Sequence, residues 1–194
     1  MNPIRTVLAV FVLLLAGAAI HAQVLELGMS GGVNRLSNSE LAREGNIVAK
    51  LDSGFRIGFR VTLNAHEYFG HEVGYAYNRT NLNYGGTSYG MGTHQGLYNL
   101  LLYARPEGSR VRPFIAGGAQ FNNFVFPGLS VTSGGGTTKF GVNYGGGIKV
   151  RTSDRFLMRL DYHQYLSPKP DWFLQPPKGW LRMNEISIGF AYTL

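Results

Sequence analysis

A period-two alternation of large apolar residues with small or polar ones, repeated in eight segments, constrains the fold more than any other feature. Its clearest example runs from Gly54 to Leu63, where every second residue is large and apolar. Successive side chains of a β-strand point to opposite faces, so this pattern predicts strands with one apolar and one polar face. The predicted strands cover residues 24–33, 54–63, 68–78, 94–105, 111–121, 139–151, 155–165 and 184–194.

The connections between these segments alternate strictly between long and short. The long ones are 34–53, 79–93, 122–138 and 166–183, and the short ones are 64–67, 106–110 and 152–154. Barrels of the outer membrane have tight periplasmic turns and long extracellular loops. The series therefore predicts an all-β, eight-stranded antiparallel up-and-down transmembrane β-barrel. A short turn of helix is expected within residues 36–50, the one long connection with a helical period.

The N-terminus has the pattern of a secretory signal peptide. Arg5 precedes an apolar run from Val7 to Ile20, and Ala22 ends an acceptable cleavage site. The run is shorter than the roughly 20 residues with which a helix crosses a bilayer. Residues 1–22 are therefore predicted to be a cleaved signal peptide for the Sec pathway, and residues 23–194 the barrel domain. An uncleaved anchor is the alternative.

The composition excludes several kinds of site. The chain has no cysteine, so disulfides, thiolate metal sites and cysteine nucleophiles are excluded. Its net charge is +7, which in another compartment would favour nucleic acid. In an exported protein no nucleic-acid partner is expected, and the anionic headgroups of outer-membrane lipids and lipopolysaccharide phosphates are the expected counter-charges.

The polar face of the predicted strands decides between a soluble and a membrane barrel. That face consists of glycine, small polar residues and isolated charges, which suit a narrow lumen better than a solvated exterior. An eight-stranded barrel has room inside only for side chains, so charges there must pair. A charge-plugged lumen is therefore predicted, with a narrow low-conductance pore as the alternative. The predicted network consists of Glu26, Arg56, Arg60, Glu72, Arg112, Lys149, Arg159 and Asp161.

The last strand matches the C-terminal signal by which the outer-membrane assembly machinery knows its substrates. Ser187, Gly189, Tyr192 and Leu194 fall on that pattern, although the usual final residue is Phe. With the segments 112–119 and 140–162, this strand resembles the small opacity-type or OmpA-like outer-membrane β-barrel superfamily. The resemblance implies a monomer in the bacterial outer membrane, and it specifies fold better than activity.

No arrangement of catalytic residues, metal ligands or cofactor-binding residues is recognisable. Small barrels include a lipid A deacylase with a His-x-Ser pair, but His163 is followed by Gln164 and Tyr165. The mature histidines are scattered over separate segments, so no metal site is predicted. The predicted function is thus a non-enzymatic structural or surface-interaction role through the extracellular loops, with an unknown ligand. A lipid A-modifying enzyme is the alternative.

Aromatic residues near the strand ends predict two belts at the membrane–water interfaces. The outer belt is predicted to contain Tyr75, Tyr77, Phe124, Phe126, Tyr162 and Tyr165, with Trp172 and Trp180 in the last long connection. The inner belt is predicted to contain Tyr68, Phe69, Tyr103, Phe156 and Tyr192.

Overall fold

A computed structural model describes residues 24–44, 47–129, 136–172 and 179–194. The predicted signal peptide, residues 1–22, lies outside this part of the chain. Within these ranges, none of the structure is a helix long and apolar enough to cross a membrane. The strands are β1 (Val24–Ser37), β2 (Glu40–Glu44), β3 (Ile47–Leu51), β4 (Gly54–His66), β5 (Phe69–Tyr84), β6 (Thr87–Tyr103), β7 (Val111–Val125), β8 (Gly136–Arg151), β9 (Phe156–Pro168) and β10 (Trp180–Thr193).

Eight of the strands close into one antiparallel barrel. Their order is β5-β4-β1-β10-β9-β8-β7-β6, and pairing of β6 with β5 completes the ring. Chain neighbours pair throughout, and the first strand meets the last. Closure leaves no unpaired edge among these strands, as a lipid environment requires. The predicted eight-stranded up-and-down barrel is confirmed.

The first long connection differs from its prediction. The expected turn of helix within residues 36–50 is wrong, because this stretch forms the β2–β3 hairpin. Leu41, Ala49 and Leu51 are fully buried on one side of that hairpin. The register pairs Lys50 with Asn83 and Leu51 with Leu82, so the hairpin joins β5 beyond the end of β4. Burial of the alternating apolar residues and pairing with this free edge favour strands over a helix.

The second long connection is also mostly strand. The sequence predicts a loop over residues 79–93, but β5 continues to Tyr84 and β6 begins at Thr87. Only Gly85 and Gly86 separate them, with φ angles of 59° and 81°. A two-residue turn of this kind needs positive φ at both central positions, which glycine adopts without strain. The result is a long hairpin at the outer end of the barrel, the end with the long connections.

The two faces of the wall differ as the alternation predicts. Large apolar side chains point outward and are about half exposed, among them Phe59 (55%), Leu160 (53%) and Ile188 (51%). Between these apolar residues on the strands, charged and amide side chains such as Glu72, Asn99 and Arg159 point inward and are buried. An exposed apolar exterior around a polar interior is the arrangement of a membrane barrel.

Candidate functional site in the barrel lumen

An arginine closes the inner end of the lumen, where the short turns lie. Arg112 forms an ion pair with Glu107, and its guanidinium donates to the backbone oxygen of Glu67 (2.6 Å). The same guanidinium lies 3.4 Å from the ring centroid of Tyr103. Arg151 adds a second ion pair to Glu107 at 2.9 Å. Arg112 and Arg151 therefore share the carboxylate of Glu107 at the inner end of the lumen. The ring of Tyr103 lies against the guanidinium of Arg112.

A four-membered hydrogen-bonded ring follows. Lys149 Nζ lies 2.5 Å from Glu26 Oε2 and donates to the Tyr103 hydroxyl at 2.9 Å. That hydroxyl donates to Asn64 Oδ1 at 2.8 Å, and Asn64 Nδ2 donates to Glu26 Oε1 at 2.8 Å. All four side chains are buried. The buried lysine and glutamate are thus both paired and hydrogen-bonded, which offsets the cost of removing them from water.

The middle of the lumen contains four charges of alternating sign. Arg159 forms ion pairs with Glu72 and with Asp161, the latter at 2.6 Å. Arg60 reaches the other oxygen of Asp161 at 3.0 Å. Thr62 donates to Glu72 at 3.0 Å. Each carboxylate therefore accepts from more than one donor, and Arg159 is held between two acids.

Towards the outer end, charged pairs give way to amides. Arg56 pairs with Glu185 and donates to the Tyr165 hydroxyl (2.9 Å) and to Gln95 Oε1 (2.8 Å). Gln95 Nε2 then donates to Asn122 Oδ1 at 2.9 Å. We refer to the ion pairs from Glu107 to Glu185, with their amide neighbours, as the charge layer.

An apolar cluster, here called the apolar plug, covers the charge layer at the outer end. The β2–β3 hairpin contributes part of it. The rest comes from the outer ends of β5, β6, β7 and β10. The plug consists of Leu41, Ala49, Leu51, Leu82, Met91, Phe124 and Leu181, with Leu36, Ala42 and Trp172 packed against it. Trp172 meets Phe124 edge to face, with ring centroids 6.2 Å apart.

Polar residues of the first and last long connections lie at the same end of the barrel as the plug. Glu40 accepts two hydrogen bonds from Arg43, at 2.9 and 3.0 Å, and this contact lowers the pKa of Glu40. Lys169, just after β9, lies 3.4 Å from Asn38 Oδ1. Partial burial lowers the pKa of Lys169, because the charged form loses hydration there.

The structure places all eight predicted lumen charges on the inward face, each within ion-pair distance of an opposite charge. Of the predicted assembly signal, Ser187 is buried inside the barrel and Leu194 is 66% exposed at the inner end. Gly189 and Tyr192 lie between them on β10, in register with Ser30 and Leu27 of β1.

Two carboxylates of the charge layer were absent from the prediction. Glu185 follows from the sequence, because it lies two residues before the inward-facing Ser187 and so shares its face. Glu107 lies in a short turn, where no alternation identifies the direction of a side chain. Only the folded structure shows that this turn places Glu107 within ion-pair distance of Arg112.

Part of the aromatic prediction is wrong. The sequence predicts Tyr165, Phe124 and Tyr103 in the belts, but all three are buried inside the barrel. Tyr165 shares the parity of Asp161, so alternation along β9 already indicated an inward direction. The outward side chains of Tyr75, Tyr162, Tyr68 and Phe156 are exposed.

One group of lumen residues has the composition of a hydrolytic site. His163 Nε2 lies 3.9 Å from Asp161 Oδ1, and Ser187 pairs with Asp161 across the neighbouring strands. His163 and Ser187 both line an internal cavity of about 20 Å³, roughly the space for one water molecule. In the described residues, no cluster of three or more His, Asp or Glu is arranged to hold a metal.

Comparisons with known proteins identify the family. Residues 6–193 match the family model described as outer membrane protein beta-barrel domain. A comparison with curated proteins gives no match.

Three solved structures are similar in fold. The first is neisserial surface protein A, with 14% identity, 87% of this chain and 96% of that chain covered, and a TM-score of 0.63. The second is OprG from Pseudomonas aeruginosa, with 15% identity, coverage of 90% and 97%, and a TM-score of 0.58. The third is the N-terminal β-barrel domain of OprF from Pseudomonas aeruginosa, with 9% identity, coverage of 87% and 97%, and a TM-score of 0.55.

Identities this low show a shared fold and leave activity open. The family match spans nearly the whole chain, and the closed barrel with its apolar exterior agrees with it. The resemblance inferred from the sequence is therefore confirmed. The chain belongs to the outer membrane protein beta-barrel domain family and is a protein of the bacterial outer membrane.

Proposed function

We propose that this protein is a non-enzymatic outer-membrane barrel with a closed lumen, which acts through its outer connections on the cell surface. The observation that carries the proposal is the continuous filling of the lumen by the charge layer and the apolar plug. Three cavities that involve inward-facing residues have volumes of about 20, 10 and 20 Å³. Each holds about one water molecule, so these spaces provide no path for hydrated ions.

The outer connections supply the surface for interaction. β5 continues five residues beyond Arg79, to Tyr84, and β6 pairs with it along this length from Thr87. At about 3.4 Å per residue this extension is about 17 Å long. Three outer segments each present an exposed large apolar side chain, namely Ile47, Tyr89 and Leu129. Exposed apolar side chains on outer connections are the kind of feature by which surface proteins make contacts.

The position of His163 argues against an enzyme acting on membrane lipid. His163 and Ser187 are 4% and 3% exposed, and both lie on the inward face. An acyl chain of lipid A reaches the outward face of the barrel, on the other side of the wall. A nucleophile and its base must both reach the substrate. The lumen leaves no space in which a lipid could approach them.

The proposal also covers export and assembly. Residues 1–22 act as the signal peptide, and the β10 residues Ser187, Gly189, Tyr192 and Leu194 act as the assembly signal. Closure of the sheet on itself leaves each barrel complete without a partner, which supports a monomer.

The surface role can be tested in cells that display the protein. We expect these cells to adhere to some members of a panel of beads coated with glycans or extracellular proteins. The combined change Ile47→Ser, Tyr89→Ser and Leu129→Ser should remove that adhesion. Tyr68→Ser is the matched control, because Tyr68 is 42% exposed in an inner turn. Equal adhesion by cells with the triple variant and the parent would contradict the surface role.

The absence of enzymatic activity can be tested in the same cells. Mass spectra of lipid A should be identical with and without expression of the protein. Loss of an acyl chain on expression, abolished by His163→Ala, would instead establish the enzyme. Slower migration after boiling in gel electrophoresis verifies that every variant folds as a closed barrel.

A further inference from the structure

Three arginines lie on the outward face where the apolar exterior ends. On β1 the outward series ends with Val33 and continues with Arg35, and on β5 Tyr77 is followed by Arg79. On β10, which runs the opposite way, Arg182 lies outward beyond Ile186. All three arginines are exposed. They therefore lie at the level where the outer leaflet presents its headgroups.

The register places these arginines on one side of the barrel. Phe55 of β4 pairs with Arg79 on one side and with Val33 on the other. Arg35 pairs with Asn184, which makes Arg182 its diagonal neighbour, at about 7–8 Å. The arginines thus form an arc over four consecutive strands, β5, β4, β1 and β10. We call Arg35, Arg79 and Arg182 the arginine arc.

Among the side chains that the structure describes, these arginines differ from the lumen arginines in having no acidic partner. Arg56, Arg60, Arg112 and Arg159 all form ion pairs. Among the described residues, no carboxylate lies within ion-pair distance of any member of the arc. The nearby loop acid Asp52 is hydrogen-bonded at 2.7 Å to Asn83, further out along β5 than Arg79. The arc therefore has an unneutralised positive charge at the membrane surface.

A cavity at Arg79 gives the arc a binding site of definite shape. Its volume is about 450 Å³, and its lining includes Tyr77, Arg79, Gly90, His94 and Phe126. A Cβ at Gly90 would lie 2.2 Å from a guanidinium nitrogen of Arg79. Because Gly90 has no side chain, it leaves room for this guanidinium beside the cavity that both residues line. The cavity thus combines the guanidinium of Arg79, the hydroxyl of Tyr77, the imidazole of His94 and the apolar ring of Phe126. These groups suit a ligand with a phosphate, a sugar and an acyl chain.

We propose that the arginine arc binds the phosphate groups of lipopolysaccharide in the outer leaflet. Arg79 and its cavity take one phosphorylated sugar, while Arg35 and Arg182 together hold a second phosphate. Guanidinium groups match phosphate oxygens in charge and in planar two-point geometry. Trp180 lies two residues before Arg182 on β10 and its indole is exposed, as is typical of tryptophan near a membrane–water interface.

Binding can be measured with the full-length protein in nanodiscs of phosphatidylcholine. Fluorescently labelled lipopolysaccharide is the probe, in intact and in dephosphorylated form. Combining Arg35→Gln, Arg79→Gln and Arg182→Gln should weaken binding of intact lipopolysaccharide by about tenfold or more. The parent should bind the dephosphorylated form as weakly as this variant binds the intact form. Arginine-to-lysine changes at the same positions should weaken binding less than the glutamine changes, since they keep the charge but lose the two-point geometry.

A matched control separates site from net charge. Lys50→Gln, Arg105→Gln and Arg110→Gln remove as much charge from exposed positions off the arc, and affinity should stay at the parent's value. Equal weakening by the two triple variants would overturn the proposal. It would also fail if the arc variant binds like the parent, or if inorganic phosphate displaces the probe, which would indicate a site for free phosphate.

Discussion

The charge layer and the apolar plug fill the same lumen by opposite means. Around the charge layer the inward face is charged and the outward face apolar, as with Glu72 and Val73 on β5. Around the plug the faces are reversed, since Leu82 is buried inside while Asn81 and Asn83 point outward. The same reversal occurs on β10, between Glu185 with Ile186 and Leu181 with Arg182.

The reversal shows where the surroundings change from lipid to water. A strand in lipid exposes apolar side chains and buries polar ones, whereas a strand in water does the opposite. The change falls at the level of the arginine arc on β1, β5 and β10. One barrel is therefore a membrane protein below this level and has the core of a soluble protein above it.

The two regions should respond differently to substitution. Buried ion pairs contribute little net stability over apolar replacements, but removal of one partner strands a buried charge. An apolar cluster loses stability in proportion to the side-chain volume removed. Substitutions should therefore destabilise the charge layer by leaving a buried charge unpaired, and the apolar plug by creating cavities.

The largest effect is expected in the charge layer. Arg159→Ala leaves Glu72 and Asp161 without their shared partner, and it should cost about 3–5 kcal/mol. Urea titration of the protein in lipid vesicles, followed by tryptophan fluorescence, measures the free energy of unfolding.

A paired replacement serves as its control. Arg56→Met alone strands Glu185, whereas Arg56→Met combined with Glu185→Leu removes both charges. The double variant should be clearly more stable than the single one. A double variant less stable than the single one would mean that the charge layer is not an ion-pair network.

A somewhat smaller effect tests the boundary between the two regions. Phe59→Arg places a charge in lipid near the expected membrane midplane and should cost about 2–4 kcal/mol. Asn81→Arg places an outward-facing charge on β5 beyond the arginine arc, on the side expected to be in water. It should change the free energy of unfolding by no more than about 0.5 kcal/mol. Equal costs at the two positions, measured by the same urea titration, would place the boundary elsewhere.

The smallest of these losses is expected in the plug. Leu51 is fully buried between the β2–β3 hairpin and the barrel. Leu51→Ala should cost about 2–3 kcal/mol, because the outer end can partly collapse around the cavity. Ile47→Ala on the exposed side of the same hairpin is the control, and its cost should be within about 0.5 kcal/mol of zero. Matching losses for the two variants would show that the hairpin does not seal the lumen.

The reversal also explains how much of the fold the sequence predicts. The alternation identifies all eight barrel strands within the membrane, because one face is apolar throughout. The predicted third strand stops at Asn78 and the fourth begins at His94, near the point where the apolar residues change faces. The alternation therefore predicts a loop in place of the outer ends of β5 and β6.

The lumen was predictable where alternation applies and not elsewhere. Parity within a strand gives the direction of Arg56 and Arg159, and it would have given Glu185. Pairing partners, in contrast, depend on register and shear across the barrel. Lys149 meets Glu26 from a strand far away in sequence, and no local pattern specifies that contact.

Conductance across a planar lipid bilayer tests the closed lumen most directly. With the charge layer and the apolar plug both in place, the purified protein should show at most small and infrequent openings. A steady, ohmic conductance from the folded parent protein would contradict the account, because it would require a continuous water path through side chains that here fill the barrel.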